Sequence, residues 1–195
     1  MAVAAKKKIG VLALQGDFEA HEKALQRAGA EAVEVRTAAD LKGVDGLILP
    51  GGESTTMLKL LEAEQLLEPL KEYGRSHPIF GTCAGAILMA SEVQNPSQAS
   101  LGLMDIGIER NGYGRQLDSR IARLEGLNGS LDGDLEAVFI RAPIIRRIGK
   151  GVNVLASYQG DPVLVEQGRH LIATFHPELT FDSRVHRLFL QKVTQ

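Results

Sequence analysis

His77-Pro78-Ile79-Phe80-Gly81-Thr82-Cys83-Ala84-Gly85-Ala86-Ile87-Leu88-Met89-Ala90 holds the only cysteine of the 195-residue chain. Ile79 and Phe80 read as the end of a short buried strand, and Ala84 to Ala90, apolar and rich in helix formers, as a buried helix. Only Gly81, Thr82 and Cys83 separate the two, so the chain must bend sharply there, with Gly81 and Gly85 relieving the crowding on either side. With cysteine in place of serine, Gly81-Thr82-Cys83-Ala84-Gly85 is the G-x-S-x-G nucleophile elbow. The sulfur then sits at a helix start, where unpaired N–H groups favour a thiolate. A lone cysteine is ordinarily a buried structural residue, and the elbow setting is what argues against that fate here.

Upstream of the elbow the rhythm is strand, helix, strand, strand, helix. Ile9 to Leu14, Ala32 to Val35 and Gly46 to Leu49 are short apolar runs of the kind buried on both faces of a sheet. Asp17 is placed to cap a helix ending at Gly29, with Phe18, His21, Ala24, Leu25 and Ala28 on one face. Leu58, Leu61, Leu66, Leu67 and Leu70 mark a helical stretch broken near Ala63. Such alternation predicts a three-layer α/β/α, flavodoxin-like fold with a mostly parallel sheet. Downstream, Asp105 to Arg110, Ser119 to Leu124, Val138 to Ile140, Val152 to Ala156 and Val163 to Glu166 are strand-like runs. Turn signals such as Asn128-Gly129-Ser130 and Asp132-Gly133-Asp134 separate them, which predicts an antiparallel extension on the sheet edge. His170 to Phe175 returns as a buried strand, and Ser183 to Val193 is an amphipathic helix.

The whole, 1–195, is expected to be a single domain, with residues 1–7 a flexible lead-in. A net charge of 22 − 24 = −2 gives no footprint for nucleic acid. One cysteine leaves neither an internal disulfide nor a Cys-rich metal site, and no apolar run approaches the length of a membrane span. A cytoplasmic protein without metal or cofactor is the expectation.

In open α/β sheets function collects beyond the carboxyl ends of the strands. Three such ends carry unusual chemistry: Pro50-Gly51-Gly52-Glu53-Ser54-Thr55-Thr56, Cys83, and Thr174-Phe175-His176-Pro177-Glu178-Leu179. His176, read as the first residue past a strand, and Glu178, two further along an extended segment, should point the same way. The carboxylate would fix the imidazole tautomer, and the imidazole would move a proton for the thiol. Cys83, His176 and Glu178 thus supply nucleophile, base and orienter. The backbone N–H of Ala84 and the Gly51-Gly52 peptide are the candidate oxyanion donors. A phosphate cradle at Gly51 to Thr56 ranks lower, because the Gly-Lys-Ser/Thr ending of a P-loop is missing. The remaining histidines, His21, His77, His170 and His186, read as structural.

The elbow cysteine with a distant His-Pro-Glu resembles the class I, triad-type glutamine amidotransferases, and within them the glutaminase subunits of pyridoxal 5′-phosphate synthase. The match runs in order through Gly10 to Gly16, Leu49 to Thr56, Phe80 to Gly85, Glu109-Arg110-Asn111 with Gly114-Arg115-Gln116, Phe139-Ile140-Arg141-Ala142-Pro143 and Phe175 to Thr180. Gly112 and Phe181 depart from the family's usual residues. The resemblance implies hydrolysis of L-glutamine to glutamate and ammonia through a thioester on Cys83. It also implies a substrate pocket lined by Gly52, Glu53, Ser54, Arg110, Ile140 and Arg141. In kind the residues agree, since a free amino acid offers a carboxylate to an arginine and an ammonium to a carboxylate. The implied partner is a (β/α)₈-barrel synthase subunit in a double-ring complex, whose docking switches the glutaminase on through a flip of the Gly51-Gly52 peptide. Gln15 to His21, beside the site, is expected to form part of the docking face. The alternatives are a glutaminase serving another acceptor such as imidazole glycerol phosphate synthase, a cysteine peptidase, and an inactive binding module on the same fold.

Overall fold

A computed structural model describes residues 6–112, 120–127 and 131–194. The central sheet has seven strands in the order β10-β11-β12-β4-β3-β1-β2. They are β1 (Lys8–Leu12), β2 (Glu31–Val35), β3 (Gly46–Leu49), β4 (Ile79–Thr82), β10 (Asn153–Tyr158), β11 (Asp161–Gln167) and β12 (His170–Ala173). From β2 to β12 all neighbours run parallel, and only β11 and β10 turn antiparallel at the edge.

Alternation along β3 explains why this sheet is covered twice. Leu47 and Leu49 join a core with α2 (Ser54–Ala63), α3 (Leu67–Ser76) and α4 (Ala84–Met89). Ile48, between them, joins the opposite core beside Phe80 and Phe189. Helices α1 (Phe18–Ala28) and α5 (Arg184–Val193) cover that second face. All three β3 side chains are fully buried, each worth about 2 kcal/mol relative to exposure. Helix α1 ends at Gly29 in the left-handed conformation, as expected. Asp17 occupies the N-cap position but makes no side-chain cap bond.

The expected antiparallel extension divides into three. Only β10 and β11 extend the central sheet. A second sheet, β5-β6-β9, is formed by β5 (Ala90–Gln94), β6 (Met104–Glu109) and β9 (Ile144–Ile148), and β7 (Arg120–Arg123) pairs with β8 (Glu136–Phe139) in a separate ribbon. Strand-like patterning specifies which face of a strand is apolar and leaves its partner open, which is why the runs were visible and their grouping was not. Strands β5 and β9 had no sequence reading as strands. Several expectations lie outside the described residues: the flexible lead-in over 1–5, the Gly114-Arg115-Gln116 match, the strand start at Ser119, and the turn at 128–130. Among the described residues no helix is long and apolar enough to cross a membrane.

Candidate active site

The elbow is tighter than its sequence reading. Strand β4 runs through Thr82 and α4 begins at Ala84, so the bend falls on Cys83 alone. Its backbone takes φ 49°, ψ −103°, a strained conformation for any side chain. Helix α4 then lies so close to β3 that a Cβ on Gly85 would stand 2.0 Å from the Leu49 carbonyl oxygen. The Cys83 N–H donates to Ala173 O (2.9 Å), which stitches the elbow to the tip of β12.

His176 and Glu178 leave that same tip, by a different route from the one expected. The strand ends at Ala173, and Pro177–Leu179 is a 3-10 turn instead of an extended segment. Proline fits its first position because the missing N–H has no partner to lose. The turn brings Glu178 Oε1 to 2.7 Å from His176 Nδ1, so the pairing holds although the geometry behind it differs. His176 N–H donates to Val138 O (2.8 Å) and moors the turn to the β7-β8 ribbon. Gly51 faces the imidazole edge-on, where a Cβ would stand 2.5 Å from His176 Cε1.

Burial works against an imidazolium at His176, but hydrogen bonds with Cys83 and Glu178 and the charges of both push its pKa up to about 10. Burial also opposes a charged Glu178, and the imidazoles of His21 and His176 hold its pKa below the ordinary value. The Cys83 side chain is 7% exposed, enough to reach the cavity in front of it.

That cavity, about 470 Å³, is lined by Gly51, Gly52, Glu53, Ser54, Cys83, Arg110, Ile140, Arg141 and His176. Every residue expected to bind the substrate therefore lines one pocket. Glu178 lies behind His176, 4% exposed, and Ala84 at the head of α4 is buried. Arg141 has φ 48°, a rare conformation for arginine, and the preceding carbonyl of Ile140 accepts from Cys83 Sγ at 3.9 Å. Gln15, Asp17, Ile87, Asn111 and Leu179 complete the lining and were not singled out as pocket residues.

Glu53 has a second occupation. Its carboxylate caps α2, accepting from the N–H groups of Thr55 (3.1 Å) and Thr56 (2.7 Å) and from the Thr56 hydroxyl. Some desolvation opposes its charge, yet these bonds hold its pKa down to about 2. Arg110 donates to Thr55 Oγ1 (2.8 Å) and approaches Glu53 Oε1 (3.4 Å). With the N–H groups of Thr55 and Thr56 so engaged, and a carboxylate standing at the helix start, the loop is poorly suited to a phosphate. Gln15 Oε1 accepts from the Glu53 N–H at 3.0 Å and ties this loop to the one after β1.

A family model matches residues 11–195 and describes the SNO glutamine amidotransferase family. The chain belongs to that family. A pyridoxal 5′-phosphate synthase subunit PdxT of Solibacter usitatus is 65% identical over 191 residues, covering 96% of this chain and all of the relative. The subunit of the same name from Koribacter versatilis is 54% identical over 95% of both chains. A crystal structure of a glutamine amidotransferase superposes with a TM-score of 0.89 at 47% identity, covering 96% of this chain and 99% of the other. These matches agree with the class I amidotransferase-like fold read from the sequence.

Two of the histidines read as structural have a different setting. His77 stacks on Tyr73 with ring centroids 4.2 Å apart, and His170 Nδ1 accepts from the Ile79 N–H, so both serve packing. His21 and His186 instead lie fully buried behind Glu178. With no exposure, His21 also cannot belong to a docking face, which corrects that expectation. The available signal was a titratable ring in the apolar stripe of α1, which must find polar partners across the core.

Proposed function

We propose that this chain is the glutaminase subunit of a pyridoxal 5′-phosphate synthase, hydrolysing L-glutamine to L-glutamate and ammonia. The carrying observation is the bend that presents the Cys83 sulfur to a His176–Glu178 pair, 2.7 Å apart, at the floor of the cavity. In this reading the Cys83 thiolate attacks the side-chain amide carbon of glutamine. The oxyanion is received by the Ala84 N–H and by the Gly51-Gly52 peptide, turned to present an N–H. His176, protonated beforehand, gives its proton to the leaving nitrogen, and ammonia departs from a thioester. The now neutral imidazole takes a proton from water, which attacks the thioester, and the sulfur leaves as thiolate with glutamate released. Glu178 holds the ring in the tautomer that keeps Nε2 toward the sulfur and supports its positive charge.

Arg110 and Arg141 are assigned to the α-carboxylate and ammonium end of glutamine with Gly52, Glu53, Ser54 and Ile140. Arginine suits the carboxylate, and the carbonyls and carboxylate suit the ammonium. Ammonia released into neutral water is protonated and no longer nucleophilic, so an acceptor site must adjoin the exit. The names of the two relatives support a synthase subunit as that partner. We assign the partner a (β/α)₈ barrel, the assembly a double ring, and the complex to the cytoplasm. Gln15 and Asp17, at the cavity rim, belong to the docking face.

The test is ammonia release from L-glutamine by the chain alone and mixed with its synthase. Strong stimulation by the synthase, with pyridoxal phosphate formed, is expected. Equal rates would end the switching claim. Turnover of peptides with none of glutamine would end the glutaminase reading.

A further inference from the structure

Behind the Cys83, His176 and Glu178 group the buried core holds two more imidazoles. Glu178 uses Oε1 for His176, and its Oε2, also buried, makes no hydrogen bond of its own. The nearest opposing group is His21 Nε2, on α1, at 3.4 Å. That same nitrogen is 3.0 Å from Thr82 Oγ1, on β4 next to the elbow. On its other side His21 Nδ1 is 3.1 Å from His186 Nε2, on α5. His186 Nδ1 is buried and has no hydrogen-bond partner among the described residues.

These contacts decide where the protons sit. If His186 carried its proton on Nδ1, a buried N–H would be orphaned, and His21 would turn a lone pair toward a carboxylate. Both faults vanish when His186 donates from Nε2 to His21 Nδ1. The proton of His21 is then on Nε2, bonded to Thr82 Oγ1, and its positive end lies beside Glu178 Oε2 at 3.4 Å. We propose that His21 is a positioning residue of the hydrolysis: its ring, set in the Nε2–H tautomer by His186 and bonded to Thr82, presents the positive end of that N–H beside Glu178 Oε2 and favours the carboxylate orientation that serves His176.

The proposal rests on the glutaminase reading above and extends it from three side chains to a buried relay of five. Desolvation keeps His21 below its ordinary pKa; His176 adds to that lowering, while Glu178 and Asp17 oppose it. His186 is pushed down to about 3, mainly by burial and next by His21, with Arg27 adding and Glu178 opposing. Burial thus disfavours a charge on either ring. From β4, also packed on His21, come Thr82, an uncharged hydroxyl, and the ring of Phe80 at 6.4 Å.

The variants are H21L, which removes the donor, and H21Q, whose amide nitrogen reaches the same place. With L-glutamine and the synthase present, H21L should lose about tenfold to a hundredfold in kcat with KM within twofold. Its acid limb should move to higher pH, because Glu178 then keeps burial without the ring that favours its charge. H21Q should recover most of the rate and the wild-type limb. A packing role predicts an unmoved limb and no advantage for H21Q, and that result would overturn the proposal. Should H21L fail to fold, nitrogen NMR of ¹⁵N-histidine wild-type protein is decisive: a protonated Nδ1 on His21 refutes it, a protonated Nε2 supports it. The spectrum needs no turnover, so a wild-type chain inactive on glutamine would sink the glutaminase reading separately.

Discussion

Cys83, His176 and Glu178 sit on turns leaving two adjacent parallel strands, while Arg110, Asn111, Ile140 and Arg141 reach the cavity from two small outlying sheets. The members of the first wall are buried, tied by the Cys83 N–H to Ala173 bond and backed by His21. The second wall is anchored in the cores by residues such as Ile106, Ile108 and Phe139 and adds exposed pairs such as Arg146–Glu109 (2.6 Å) and Arg123–Asp134 (2.6 Å, both ends more than 70% exposed). Buried links in a low-dielectric setting fix geometry firmly, and exposed pairs contribute little. The groups read as reaction machinery thus stand on the central sheet, and the two arginines read as substrate contacts stand on the outlying ones, with Gly52, Glu53 and Ser54 on the loop after β3.

Four experiments bear on that division, in falling order of effect. Cys83→Ala should abolish ammonia release, by about 10⁴-fold or more, while leaving synthase binding intact. Lost binding in a pull-down would make Cys83 a packing residue. Glu178→Gln should lower kcat by about 10²- to 10⁴-fold with little change in KM. It should also shift the titration of His176. In the wild type that ring is raised from 6.5 to about 10, so its contribution to stability is complete below pH 6.5 and lost as pH rises through 10. Removing the carboxylate should bring the upper limit down toward 6.5, read by NMR of labelled histidine; an unmoved limit would contradict the pairing.

At the substrate end of the cavity, Arg110→Ala should raise KM about tenfold and leave kcat nearly unchanged. An equal fall in kcat would place Arg110 among the groups that act only in the transition state. Glu53→Ala removes the α2 cap and should cost about 1 kcal/mol, seen as a lower Tm. Because the pKa of Glu53 is depressed to about 2, its contribution is present above pH 4.5 and lost as pH falls toward 2. A wild-type Tm falling no faster than that of the variant across this window would deny the cap its weight.

The difference between the walls also explains what was legible. Gly81 to Gly85 encodes its bend locally, because strand, turn and helix signals meet within a few residues. His176 and Glu178 are near enough in sequence that their pairing was found, even though the 3-10 turn was read as extended chain. Strand β9 and the separation of the β7-β8 ribbon were not legible, since nothing in Ile144–Ile148 or Glu136–Phe139 names its partner. Glu53 was known by its type as a possible contact for an ammonium. That its carboxylate also caps α2 depends on the rotamer chosen among competing donors.

By itself the sequence pointed to the candidate nucleophile, base and orienter, the doubly covered parallel sheet and the family. Each of these follows from short-range periodicity and from motifs a few residues long. Only the tertiary structure decided that His21 and His186, 165 residues apart, stand in a row behind Glu178. A buried imidazole takes its tautomer from the partners that the fold brings to it, and no local pattern in the chain records them.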